Sequence, residues 1–254
     1  MKPVVVIVGK TASGKTACAK RVAEQFGGDV ISADSRQVYQ YFDIGTAKDL
    51  SFHQHLISIL DPTKERWTVG DFLAQTRALI DRAHAAGRLP IVVGGTGLYI
   101  DALLRGYHLP PGKLNRGQFK GHATPLPYQF LIIGMRLPTD VLYQNIAHRS
   151  HDMVTHGLIE ETKRILTLLP KNHELLKTIG YKQTIAYLDG KITLADLPAA
   201  ITKATKVYAR HQGNWLKRWP VMWFNLYDLT AIERAVQSCL LSSNKRVARG
   251  SKEV

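Results

Sequence analysis

Two features of the sequence predict an α/β fold: apolar runs rich in Val and Ile alternate with longer stretches of helical spacing, and Gly-Lys-Thr-Ala-Ser-Gly-Lys-Thr at 9–16 separates the first run from the first stretch. Parallel strands buried on both faces and joined by helices give that alternation. The octapeptide fits G-x-x-x-x-G-K-[ST], a phosphate loop whose confirming context is a strand before it and a helix after it. Together they predict a P-loop NTPase-like parallel sheet flanked by helices, and the absence of strand-like runs from 138 to 219 adds a helical C-terminal subdomain.

In chain order, candidate strands lie at 4–8, 29–33, 56–60, 89–93, 129–137 and 221–226, each a short run dominated by apolar residues. Helical spacing covers 15–26, 69–86 and 98–104, and Gly27-Gly28, Gly87 and Gly106 supply stops that favour positive φ. Four helical segments follow, at 139–156, 157–169, 173–188 and 193–219; Pro198 starts or kinks the last, because it cannot donate an interior hydrogen bond. The segment 108–127, with Pro110-Pro111-Gly112, Lys113, Arg116, Lys120 and Pro125, reads as a basic connector, and 244–254 as a frayed basic tail. The expected organisation is a core at 1–137 rejoined by the strand at 221–226, a helical subdomain at 138–220, and a helix with the tail at 227–254.

Composition narrows the partners. With 254 residues, 45% hydrophobic and 21% charged, the chain is a folded protein of one large domain or one with a satellite, by a prior of about 150 residues per domain. No apolar run approaches the roughly 20 residues that span a bilayer, so no membrane partner is expected. Cys18 and Cys239 are too few for a disulfide scaffold or a four-cysteine zinc site, and reduced thiols in a cytoplasmic protein are the simplest reading. The formal charge of +14 points to phosphate-rich partners, although a cationic surface that only aids solubility has the same composition. A monomer is the default oligomeric state.

In the phosphate loop, Gly9, Lys10, Thr11, Ala12, Ser13 and Gly14 offer a curled backbone whose amides face inward, Lys15 a point charge, and Thr16 a hydroxyl for Mg²⁺. Such a nucleotide-binding loop grips a phosphate chain, which need not be that of ATP. No carboxylate ends the strand at 89–93, which runs into Gly94-Gly95-Thr96. The acidic residue at a strand end is Asp34, followed by Ser35, Arg36 and Gln37. Strand carboxyl ends form the ligand crevice of an open parallel sheet, so these residues, Thr96 and the loop are expected to converge. An Asp after a strand is more often a helix N-cap; here carboxylate, hydroxyl, guanidinium and amide together suit a purine edge. On the last helix, at about 100° per residue, Lys203, Lys206, Arg210 and Lys217 share one arc, with Ile201, Tyr208, Trp215 and Trp219 roughly opposite. The first set suits phosphates or plain solvent, the second the core.

TASGKT in the loop, SADSRQVY with DIGTAK after it, LPIVVGGTGLYI, GLIEE at 157–161, IGYKQ at 179–183 and the closing 205–218 occur in an order that resembles the tRNA dimethylallyltransferases, over roughly 4–224. The resemblance implies transfer of a dimethylallyl group from its diphosphate to N6 of the adenosine 3′ of the anticodon in tRNA, with Mg²⁺ as cofactor and the anticodon loop as partner. Residues 11–16 would then cradle diphosphate, with Lys15 stabilising the leaving charge, Thr16 holding the metal and Lys206 assisting. Asp34 would take or orient the amine proton, Thr96 would lie in the second substrate loop, and Ser35, Arg36 and Gln37 would grip the adenosine, with Lys203, Arg210 and Lys217 on the RNA backbone. An adenine in a stacked loop must be extruded to reach such a crevice.

The chain departs from the family pattern in several places. Only the connector stands where ordinary members insert a helical region after 104, Lys10 replaces a proline, Thr205-Lys206 a Thr-Arg pair, and Arg210-His211-Gln212 a Lys-Arg-Gln. A related class acts on free adenosine phosphates and also lacks the insertion. A small-molecule kinase or a non-enzymatic RNA-binding module would share the phosphate loop.

Overall fold

The computed structural model describes residues 1–112 and 123–250, with the side chains of 244–250 left aside. Half of the connector expected at 108–127 lies outside the described residues, including Lys113, Arg116 and Lys120. Strand β1 (Lys2–Gly9) leads through the phosphate loop into α1 (Lys15–Phe26), then β2 (Gly28–Ser32), α2 (Val69–Ala85), β3 (Leu89–Val93), α3 (Gly97–Leu104) and β4 (Tyr128–Met135). Helices α4 (Thr139–Thr155), α5 (Leu158–Leu168), a 3-10 turn (Glu174–Lys177), α6 (Tyr181–Leu188) and α7 (Leu197–Leu216) precede β5 (Met222–Phe224) and α8 (Leu229–Gly250). The five strands form one parallel sheet in the order β2-β3-β1-β4-β5.

Alternation along β1 divides the core. Val4, Val6 and Val8 pack with Phe72, Leu73 and Ile80 of α2 on one face, while Val5 and Ile7 pack with Cys18 and Val22 of α1 and Ile232 and Val236 of α8 on the other. A third cluster joins Leu158, Ile165, Tyr181, Leu197 and Ile201 of the C-terminal helices to Val38, Tyr39 and Phe42, which follow β2. The helices thus dock onto the segment beside Asp34. Both cysteines are buried and unpaired, and no helix among the described residues is long and apolar enough to cross a membrane.

The run at 56–60 is not a strand. Only His55, just before it, forms an isolated bridge to the sheet at Ile31, Leu60 bridges instead to Tyr39 outside the strands, and the positive φ of Leu56 (64°) and Ser58 (53°) turns the run away from extended geometry. Leu56 and Leu60 are buried nonetheless, so the apolar pattern reported burial without a ladder. Gly180, at φ 95°, separates the 3-10 turn from α6 within the helix expected at 173–188. Helix α7 opens with Pro198 in its first turn and ends at Leu216, leaving Lys217 and Trp219 beyond it. The backbone of 244–250 continues α8, where a frayed tail is expected from the sequence.

Candidate active site

Because β1, β2 and β3 are parallel neighbours, their carboxyl ends bring together three loops: 9–16, 33–37 and 94–96. Direct backbone bonds fix their spacing, with Ala33 N donating to Val93 O at 2.7 Å and Gly94 N to Ile7 O at 3.2 Å. Gly94 is required there, since a Cβ would lie 2.2 Å from the Ala33 carbonyl oxygen.

The phosphate loop turns through Ala12 (φ 62°) and Gly14 (φ 88°), the latter capping α1 in a left-handed conformation. The buried Ser13 Oγ has no hydrogen-bond partner among the described residues. Lys15 Nζ donates to the carbonyl of Lys10 at 2.7 Å, and the Lys10 side chain runs against Gly213 of α7. Burial and then the neighbouring Arg149 guanidinium pull the Lys15 pKa down to about 7, against the opposing pull of Asp34. Arg149, on α4, places Nη1 3.4 Å from Thr11 Oγ1 and is itself lowered by burial. Among the described residues neither cation has an ion-pair partner, so the electrostatics favour an anion between them.

On the other side, Asp34 Oδ1 accepts the amides of Arg36 at 2.8 Å and Gln37 at 3.2 Å. Both bonds fall on one oxygen. The Gln37 amide nitrogen donates to the carbonyls of Thr46 at 2.9 Å and Ala47 at 3.4 Å, and Thr96 Oγ1 accepts the amide of Ser35 at 3.1 Å. Thr96 therefore ties the third loop to the second.

Two adjoining cavities meet here. One, of about 300 Å³, is walled by the phosphate loop with Lys15, Thr16, Asp49 and Gln212; the other, of about 330 Å³, by Ser35, Arg36, Ile146, Met153, Ile179 and Ile201. Thr11, Asp34, Arg149 and Tyr208 line both, so Asp34 stands at the junction of the phosphate-loop chamber with Lys15 and a second chamber that carries Arg36 and several apolar side chains.

The expected basic stripe of α7 divides. Lys203 borders a surface groove with Lys177, Lys182 and Val207. The Lys206 ammonium lies 4.8 Å from the centroid of the Tyr143 ring and lines neither cavity. Arg210 and Lys217 are exposed and also line neither. Tyr208, placed toward the core by helical spacing, is 40% exposed; Ala209 and Gln212 are the buried residues of that stretch. Sequence reasoning missed Arg149, Gln212 as a loop contact, and Glu161. Arg149 had one readable signal, a cation one helical turn from apolar Ile146 and Met153.

A Mg²⁺ ion fits the donor set. The wall that carries Thr16 also carries the carboxylates of Asp34 and Asp49, and this metal takes few protein oxygens, completing its shell from phosphates and water. Among the described residues there is no group of three or more His, Cys, Asp or Glu that could hold a metal ion.

A family model described as IPP transferase matches residues 37–118 and 113–219, and one described as isopentenyl transferase matches 2–58. The tRNA dimethylallyltransferase of Thermomicrobium roseum is 34% identical over 291 positions, covering 90% of this chain and 87% of the relative. That of Carboxydothermus hydrogenoformans is 32% identical, covering 87% and 91%. An alignment of 291 positions against 254 residues means that the relative carries segments without a counterpart here. The crystal structure of the full-length tRNA isopentenylpyrophosphate transferase from Bacillus halodurans superposes with a TM-score of 0.86 at 30% identity, covering 98% of this chain and 100% of that one. With the family model spanning well over half of the sequence and relatives above 30% identity along nearly all of it, this chain belongs to the tRNA dimethylallyltransferase family.

Proposed function

We propose that the chain transfers a dimethylallyl group from dimethylallyl diphosphate to N6 of the adenosine 3′ of the anticodon in tRNA, releasing diphosphate. The observation that carries this reading is the position of Asp34 between the two cavities, with Lys15 on one side, Arg36 on the other and Arg149 lining both. The diphosphate occupies the phosphate-loop chamber, and the extruded adenine enters the cavity lined by Ser35 and Arg36. N6 attacks the allylic carbon as its bond to the diphosphate oxygen breaks. The leaving electron pair goes to that oxygen, where Lys15, Arg149 and the loop amides stabilise the developing charge. Asp34 accepts the N6 proton. A Mg²⁺ ion held by Thr16 and Asp49 would neutralise further charge on the leaving group.

The test is incubation with Mg²⁺, dimethylallyl diphosphate and either unmodified tRNA or AMP, followed by mass spectrometry of the nucleosides. Prenylated adenosine from tRNA supports the proposal. Product from AMP alone moves the acceptor to free adenylates, and product from neither overturns the transferase reading.

A further inference from the structure

Glu161 sits in the first turn of α5 and is only 4% exposed. A buried carboxylate is costly unless its charge is met. Among the described residues it forms no ion pair; four donors surround it instead. Its oxygens accept the amides of Asp43 at 3.0 Å, Ile44 at 2.8 Å and Gly45 at 3.0 Å, and the Tyr181 hydroxyl donates at 2.6 Å. Three successive amides turned toward one anion form a nest, so a side chain of the helical region clasps the loop at 43–45. The fit is steric as well: a Cβ on Gly45 would lie 2.4 Å from the Tyr181 ring.

The clasped loop reaches the site directly. Gly45, Thr46 and Ala47 line the cavity that holds Ser35 and Arg36. The Thr46 and Ala47 carbonyls hold the Gln37 side-chain amide, and the Gln37 backbone amide donates to Asp34 Oδ1. A continuous set of hydrogen bonds therefore runs from Glu161 through the loop and Gln37 to Asp34.

We propose that Glu161 is a positioning residue for the acceptor side of the site, acting through the 43–47 loop and Gln37 on the orientation of Asp34. This rests on the transferase reading above. A carboxylate suits the task because all of its contacts are donors; a glutamine would turn an amide N–H toward backbone N–H groups, with no compensating acceptor.

The experiment measures prenyl transfer to an unmodified tRNA substrate, together with calorimetric affinity for inorganic diphosphate, in wild type, Glu161→Gln, Tyr181→Phe, Gln37→Ala and the Glu161→Gln/Gln37→Ala double variant. Glu161→Gln is expected to lower kcat by about 10- to 100-fold, the scale of a displacement near 1 Å at a reacting group, while diphosphate affinity stays within about twofold of wild type. Tyr181→Phe, which removes one of four donors, is expected to lower kcat by about threefold. In the Gln37→Ala background the Glu161 change should add less than about twofold, because the two act in series. An unchanged kcat in folded Glu161→Gln, a parallel loss of diphosphate affinity, or multiplicative effects in the double variant would each overturn the proposal. If Glu161→Gln does not fold, Tyr181→Phe decides: full kcat overturns it, and reduced kcat with intact diphosphate binding supports it. Wild-type protein without product sinks the transferase reading itself, whereas wild-type product matched by Glu161→Gln sinks only this inference.

Discussion

Gln212 on α7 accepts the backbone amide of Thr11 at 2.7 Å. Its side-chain nitrogen donates to the carbonyl of Gly95 at 3.0 Å, so one buried amide bridges the phosphate loop and the loop after β3. Gln212→Ala is expected to destabilise the protein by about 1–3 kcal/mol, two net hydrogen bonds of ordinary worth. A Cβ at Gly95 would lie 2.4 Å from the same nitrogen, so Gly95→Ala should break the same bridge. Denaturant titration of both single variants and the double variant checks this: the combined loss should fall short of the sum, and strict additivity would refute the shared bridge.

Lys15 makes diphosphate binding pH-dependent. In the free protein its pKa is lowered from the ordinary 10.5 to about 7 by burial and by Arg149. A bound polyanion favours the ammonium, so the liganded pKa is higher and binding above pH 7 takes up a proton. Affinity should accordingly fall as pH rises from 7, and this contribution should level off below 7, where Lys15 is already charged. Lys15→Arg does not titrate in this range, and the ionisation of diphosphate affects both proteins alike. Calorimetry from pH 6 to pH 9 should show a steeper loss for wild type than for Lys15→Arg; equal slopes would contradict the assignment.

Asp34 is separable from its structural duty. Asp34→Asn retains the Oδ1 acceptor that holds the Arg36 and Gln37 amides but cannot take a proton. Single-turnover transfer in this variant should slow by about 10²- to 10⁴-fold, the usual worth of a general base. Diphosphate affinity should be equal to or slightly above wild type, since a negative charge near Lys15 is removed. Near-normal chemistry in Asp34→Asn would leave Asp34 with a role in loop geometry alone.

The sequence specifies the parts whose partners are local. Helix α1 occupies 15–26 and β3 occupies 89–93, the spans expected from a continuous apolar run and flanking glycines. Apolar patterning reports burial but not the partner, which is why 56–60 resembles a strand while Leu56 and Leu60 plug the core from a loop. Tyr208 fails for a related reason: helical spacing separates it from the lysines, but the space it faces is a cavity whose walls come from three distant segments. Phosphate-loop chemistry is legible because its spacing is fixed along the chain. Arg149 and Glu161 reach their targets only through the docking of α4 and α5, and no local pattern carries that information.

The last prediction concerns the groove between α6 and α7. Lys177, Lys182 and Lys203 surround the exposed Val207 and Tyr208, and Tyr208 continues into both cavities. Lysines around an aromatic face suit a single-stranded nucleic acid segment, with phosphates on the cations and a base against the ring. Each phosphate contact on a single strand contributes about 0.7 to the slope of log affinity against log salt, so replacing all three lysines by alanine should lower the slope for tRNA by about 2. Lys206, engaged with Tyr143, serves as the control: Lys206→Ala removes one charge from the helix that also carries Lys203 and should leave the slope within error of wild type, whereas Lys203→Ala alone should lower it by about 0.7. Filter binding across a salt series decides between a phosphate track in this groove and a cationic helix that meets only solvent, for which Lys203→Ala and Lys206→Ala would behave alike.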